Sequence, residues 1–125
     1  MTVLIDSWAW IEYWRGGPHS AAAAKHIEGG ETAVLSAVNV VEIYFWVLRH
    51  YEERRAEEKR DTLRKRCFVI PLEEGIAVSA AKTKRDLKLS LADSIILATA
   101  KDQNAKLVTG DKDFKGLRDI LYIGD

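Results

Sequence analysis

The chain has 125 residues, 47% of them hydrophobic, and its nineteen basic and nineteen acidic side chains cancel. That is the commonest length of a domain, with apolar material enough for one core, so a disordered or fibrous chain is excluded and one domain over residues 1–125 is expected. Zero net charge offers no global basic field for nucleic acid, and one cysteine, Cys67, excludes an internal disulfide and a cysteine-rich zinc site.

The segment 2–6 (TVLID) reads as a buried strand, and SWAWIEYWR follows it into a helix without a breaker. The GGP at 16–18 ends that helix. HSAAAAKHIE forms the next, stopped by Gly29 and Gly30, and 31–36 (ETAVLS) is a second strand. Residues 37–51 form a largely apolar helix whose N-terminus Ser36 or Asn39 can serve. The highly charged 52–66 is a helix with a solvated face and pairs such as Asp61 with Lys65. A third strand, 67–72, ends at Pro71. Helices over 73–88 and 90–104, a fourth strand at 106–110 and a last one at 120–123 complete the chain. Strands alternating with helices imply an α/β fold, a three-layer α/β/α arrangement around a five-stranded, mainly parallel sheet. No run approaches the roughly 20 apolar residues of a membrane span, and no signal-peptide pattern opens the chain. A cytoplasmic protein is expected.

Charges stand in unexpected places. Asp6 is the only charge in the first eleven residues, Glu42 is alone among residues 37–48, and Asp93 is alone among 89–100. Asp93 also shares a stripe with Ile96, Leu97 and Ala100, where a core residue would sit. Asp111 falls just past the fourth strand, with Asp113 two residues on. Each has an ordinary reading taken singly: a helix cap for Asp6, a solvent-facing helix residue for Glu42, a capping-box partner of Ser90 for Asp93, an acidic turn for the last pair. Taken together they share one explanation. Ligands of open parallel sheets sit beyond the carboxyl ends of the strands, and all four segments reach that rim. Carboxylates about 4 Å apart repel by roughly 4 kcal/mol at an effective dielectric near 20, so four together call for a cation. An all-oxygen set without His or Cys selects a hard ion, Mg²⁺ or Mn²⁺, suited to phosphate chemistry.

With VLIDSWAWIEY, NVVEIYFWVL, LSLADSIILATA and LVTGDKDF in this order, the chain resembles the PIN-domain ribonucleases and, in size and order, the VapC-type toxins of toxin–antitoxin modules. The resemblance implies that Asp6, Glu42, Asp93 and Asp111 are the acidic ligands, with Ser7 and Thr109 lining the site. The family's fifth acidic position is variable, and Asp113 is the nearby candidate. A five-stranded parallel sheet, Mg²⁺ dependence, an RNA substrate, homodimers and an antitoxin that blocks the groove are implied as well.

Lys82, Lys84, Arg85 and Lys88, four cations within seven residues, are candidates to hold an RNA backbone. His19, His26 and His50 share no metal-binding spacing, and most of the aromatic residues at helical spacing belong to a core or an interface. Two other readings compete. A phospho-acceptor receiver domain expects adjacent acids after the first strand and a lysine ending a late one; here Ser7 follows Asp6, and Thr109 and Gly110 end the fourth strand. A catalytically silent RNA- or protein-binding module would not need the full acidic set.

Overall fold

The computed structural model describes residues 1–125. Five strands, β1 (Thr2–Ile5), β2 (Thr32–Ser36), β3 (Phe68–Ile70), β4 (Lys106–Thr109) and β5 (Ile120–Tyr122), form one sheet in the order β3-β2-β1-β4-β5. Every pairing is parallel. Six α-helices connect them: α1 (Ser7–Arg15), α2 (Ser20–Ile27), α3 (Ala37–His50), α4 (Glu53–Arg66), α5 (Glu74–Leu87) and α6 (Leu91–Asp102).

The three layers follow from the alternation of side chains along the strands. Val3, Ile5, Ala33, Leu35 and Val108 point to one face, where Ala9 and Trp10 of α1, Ala23 and Ile27 of α2, Ile43 of α3 and Leu63 of α4 cover them. Leu4, Val34 and Leu107 point to the other, against Ile96, Leu97 and Ala100 of α6 and Phe114. Both faces are buried, which is why the inner strands read as unbroken apolar runs. Helix α5 lies outside α6 and packs through Ile76 and Ala80 on Ile95 and Ala98. Trp10 Nε1 is the one buried side-chain polar atom with no partner.

Boundaries differ from expectation where local chemistry intervenes. β3 shrinks to three residues because Cys67 is used to end α4 and Pro71 stops the strand. Both Ser36 and Asn39 serve α3: the Ser36 hydroxyl accepts from Val38 N, and Asn39 Oδ1 accepts from Ser36 N. Helix α4 buries only Ala56 and Leu63. Asp61 and Lys65 form no ion pair; Arg54–Glu58, Arg55–Glu52 and Arg60–Glu57 do. The last turn of α4 instead supplies Arg66, whose guanidinium donates to the carbonyls of His26, Ile27 and Glu31 and ties α4 to the end of α2. A second buried carboxylate, which sequence reading passed over, is also structural: Glu12, 2% exposed, pairs with Arg15 and accepts from His19 N across the α1–α2 turn. No helix is long and apolar enough to cross a membrane.

Candidate active site

The strand order runs outward from β1 through β2 to β3, then resumes with β4 on the other side of β1. A crevice opens where the order reverses, beyond the carboxyl ends of β1 and β4. Ile5 pairs with Val108, and Asp6 N donates to Val108 O (3.0 Å), so Asp6 and Thr109 leave the sheet side by side.

Asp6 occupies the N-cap position of α1, yet its side chain makes no capping bond. The carboxylate is 3% exposed; Oδ1 accepts from Asn39 Nδ2 (3.1 Å) and Oδ2 from Thr109 Oγ1 (2.7 Å). Burial pushes its pKa up to about 7, against the pull of the Thr109 hydrogen bond; Glu42 and Asp93 add repulsion.

Asn39 is the residue sequence reading left in a capping role only. Its side-chain nitrogen also donates to Ser7 Oγ (2.8 Å), and Ser7 Oγ donates to Glu42 Oε1 (2.8 Å). The amide is thus fully used: its oxygen holds the start of α3, and its two N–H groups hold Asp6 and Ser7. One signal in the sequence pointed to it, the position three residues before Glu42 on the same helix face. Glu42 is itself half-buried, and its pKa is raised by burial first and by Asp111 as well.

From the other side come α6 and the turn after β4. Asp93 N donates to Ser90 Oγ (3.1 Å), the cap expected of that spacing, and the Asp93 carboxylate forms no ion pair. Burial raises its pKa to about 6, with repulsion from Asp111 next in importance; the Ser90 hydrogen bond opposes the shift, and Glu42 and Asp113 add to it. Asp111 N donates to Thr109 Oγ1 (3.0 Å), and Asp111 Oδ1 accepts from Asp113 N (3.0 Å), closing a 3₁₀ turn at Lys112–Phe114. The Thr109 hydroxyl therefore links Asp6 to Asp111. Carboxylate oxygens of Asp93, Asp111 and Asp113 lie within 4.8 Å of one another. Asp6 and Glu42 complete the same electrostatic unit, since each is repelled by members of it. None of the five acids forms an ion pair.

The cations of α5 stand differently. All four are exposed, but Lys84 Nζ donates to Leu89 O (3.0 Å) at the α5–α6 connection, and Arg85 pairs with Asp86 (2.7 Å). Lys82 makes no ion pair, and Lys88 ends the helix in the left-handed region (φ 56°). The histidines make no hydrogen bond to the five acids; they lie against Asp125, Glu31 and the Trp46 carbonyl.

A parallel sheet with carboxylates gathered at its reversal point defines an α/β protein built to hold something at its strand ends. The model of the PIN domain matches residues 3–120, and the chain belongs to that family. No curated protein matches it in sequence. Among solved structures, it is similar to a toxin–antitoxin complex from Klebsiella pneumoniae at a TM-score of 0.82 and 23% identity, covering 98% of each chain. It is similar to Mycobacterium tuberculosis VapC20, described as a sarcin–ricin loop cleaving toxin, at 0.76 and 15%, covering 94% of this chain and 98% of that one. VapBC-1 of nontypeable Haemophilus influenzae follows at 0.75 and 19%, covering 99% and 98%. At these identities the likeness is one of fold.

Proposed function

We propose that this protein is a divalent-metal-dependent endoribonuclease, the toxin of a toxin–antitoxin pair, acting in the cytoplasm as a single PIN-like domain over residues 1–125. The observation that carries the reading is the group of five acids without ion pairs at the sheet's reversal point, with Asp6 and Asp93 held at raised pKa by burial first and by neighbouring acids of the group as well. Such a group is relieved by a cation, and its donors are all oxygen, which fits Mg²⁺ or Mn²⁺. Asp6, Glu42, Asp93 and Asp111 would hold the ion, with Asp113 at the exposed rim. Bound there, a divalent ion supplies Lewis-acid stabilisation of charge on phosphate oxygens and acidifies water.

The chain's own residues do the rest. Thr109 and Asn39 fix the Asp6 carboxylate from two sides, and Ser7 fixes Glu42, so neither acid needs to reorganise. Asp93 and Asp111, which stand with Asp113 in one tight group, are the acids that would orient the attacking water. Lys82 and Lys88 remain candidates for phosphate contacts; Lys84 and Arg85 would first have to leave Leu89 and Asp86.

The test is a panel of structured RNAs incubated with wild type and Asp6→Asn in parallel, in Mg²⁺, Mn²⁺ and EDTA. Wild type is expected to cut single-stranded or loop RNA only with metal, and Asp6→Asn to cut none. Equal cleavage by both would mark a contaminant. No cleavage of any RNA with either metal would favour a silent binding module.

Partners are proposed from exposed apolar surface. Trp10 is wholly buried and Trp8, Trp14 and Trp46 are partly so, so the tryptophans of α1 and α3 serve the core in part or in whole. Among the exposed large apolar residues, Val41, Phe45 and Leu48 form a stripe on α3, and Phe68, Val69 and Leu72 a patch around the edge strand β3. Two such surfaces suit a homodimer contact and a separate antitoxin contact. Light scattering at micromolar concentration is expected to give twice the chain mass of 14.1 kDa; the monomer mass would sink the dimer.

A further inference from the structure

Trp8, on the first turn of α1, is not part of the acidic group, yet it borders it. Its six-membered ring lies against Gly110 so closely that any side chain at that position would collide with it. Gly110 does not adopt a positive φ, so its backbone would tolerate another residue; the close approach of the indole is what requires glycine there. The half-buried indole, with Gly110, Asp111, Lys112 and Asp125, lines an open cavity of about 450 Å³. Asp111 belongs to the acids, so this cavity continues the crevice on the β4 side. Asp125 is held at the wall by His19 Nε2 (2.8 Å), whose ring lies 6.0 Å from the indole.

Of these five lining residues only Trp8 is apolar. An aliphatic or aromatic peptide side chain entering here would desolvate two carboxylates and an ammonium for contact with one ring. A nucleobase suits the same walls better, because it lays a π-face on the indole and turns a hydrogen-bonding edge to polar groups. We propose that Trp8 is a stacking platform for a nucleobase of the RNA next to the cleaved phosphodiester, with Lys112 on the flanking phosphate. The inference rests on the ribonuclease reading and assigns a substrate subsite within it. Gly110 would then do two things, seating the platform and setting its distance from Asp111.

The experiment uses uncleavable 2′-O-methyl tetranucleotides carrying 2-aminopurine at each position in turn, titrated with wild type, Trp8→Ala and Trp8→Phe in Mg²⁺. Stacking quenches 2-aminopurine emission. Wild type is expected to quench one position strongly; Trp8→Ala should abolish that quenching and weaken binding about 5- to 100-fold, and Trp8→Phe should keep most of both. With cleavable RNA, Trp8→Ala should raise KM more than it lowers kcat. Thermal melts check folding, and Trp8→Phe carries the test if the alanine variant unfolds: it must still quench at the same position. Equal quenching in all three proteins, or none in wild type, overturns the platform. The two readings fail separately. Trp8-dependent quenching without cleavage of unmodified RNA would sink the hydrolytic reading alone, and cleavage indifferent to Trp8 would sink the platform alone.

Discussion

Millimolar Mn²⁺ or Mg²⁺ is expected to raise the melting temperature by several degrees at pH 7.5 and by much less at pH 5. The sign follows from the carboxyls. Asp6 has a folded pKa of about 7 and Asp93 of about 6, both above their ordinary value of 3.8, and Glu42 is shifted the same way. Between pH 4 and 7 the folded protein therefore binds more protons than the unfolded chain. Without a divalent ion, the stability these groups contribute is fully present at and below about pH 4, where they are protonated when folded, and is lost as pH rises toward 7. A shift of the size seen at Asp6 corresponds to a few kcal/mol, and neighbouring groups share part of it. A cation reverses the dependence, since it binds the ionised acids; at a hundred times its Kd it contributes about 2.7 kcal/mol. Asp93→Asn should raise the metal-free melting temperature at pH 7.5, flatten its fall with pH and shrink the metal increment. Melts in EDTA and in Mn²⁺ at both pH values decide the matter. Superimposable curves under all four conditions would refute a shared cation site.

Asp111→Asn is expected to lower kcat/KM for RNA at least a hundredfold, and Asp113→Asn by clearly less. Both carboxylates lie in the tight group with Asp93, but Asp111 is half-buried and Asp113 exposed. Charge removed from a partly desolvated position costs more than the same charge removed from water. Asparagine keeps an oxygen that can accept from Asp113 N, so the turn survives Asp111→Asn and the loss reads as lost ligand charge rather than lost fold. Single-turnover cleavage by the two variants, with melts as folding controls, gives the ratio. A larger loss at Asp113 would move the centre of the site outward to the rim.

The elements were readable because their physics is local. Apolar runs with β-branched residues, glycine stops and helix-length amphipathic segments name strands and helices without reference to anything distant. The acids were readable for a related reason: a lone charge in an apolar stretch is costly wherever the chain goes, so Asp6, Glu42 and Asp93 announce themselves. Asn39 does not. A neutral amide raises no such alarm, and its value comes from meeting Asp6 and Ser7, more than thirty residues earlier in the chain. Lys84 shows the opposite limit: a cation in a cationic stretch reads as free, and only the fold shows it donating to the Leu89 carbonyl. Sheet order was equally out of reach, because it depends on which strands pair, and β1 pairs with β4 across a hundred residues.

That pairing has a consequence for how the protein comes into being. The Thr109 hydroxyl that holds Asp6 belongs to a residue 103 positions later, and Asp93 and Asp111 also come from the last third of the chain. Contacts of such separation form late, after shorter loops have closed, and during synthesis they cannot form at all until the distal segment has left the ribosome. A growing chain can fold helices from α1 to α4, and join Asp6 to Glu42 through Ser7 and Asn39, while the centre still lacks Asp93 and Asp111. The cell that makes this protein meets an assembled centre only after β4 and the turn that follows it have been made and released.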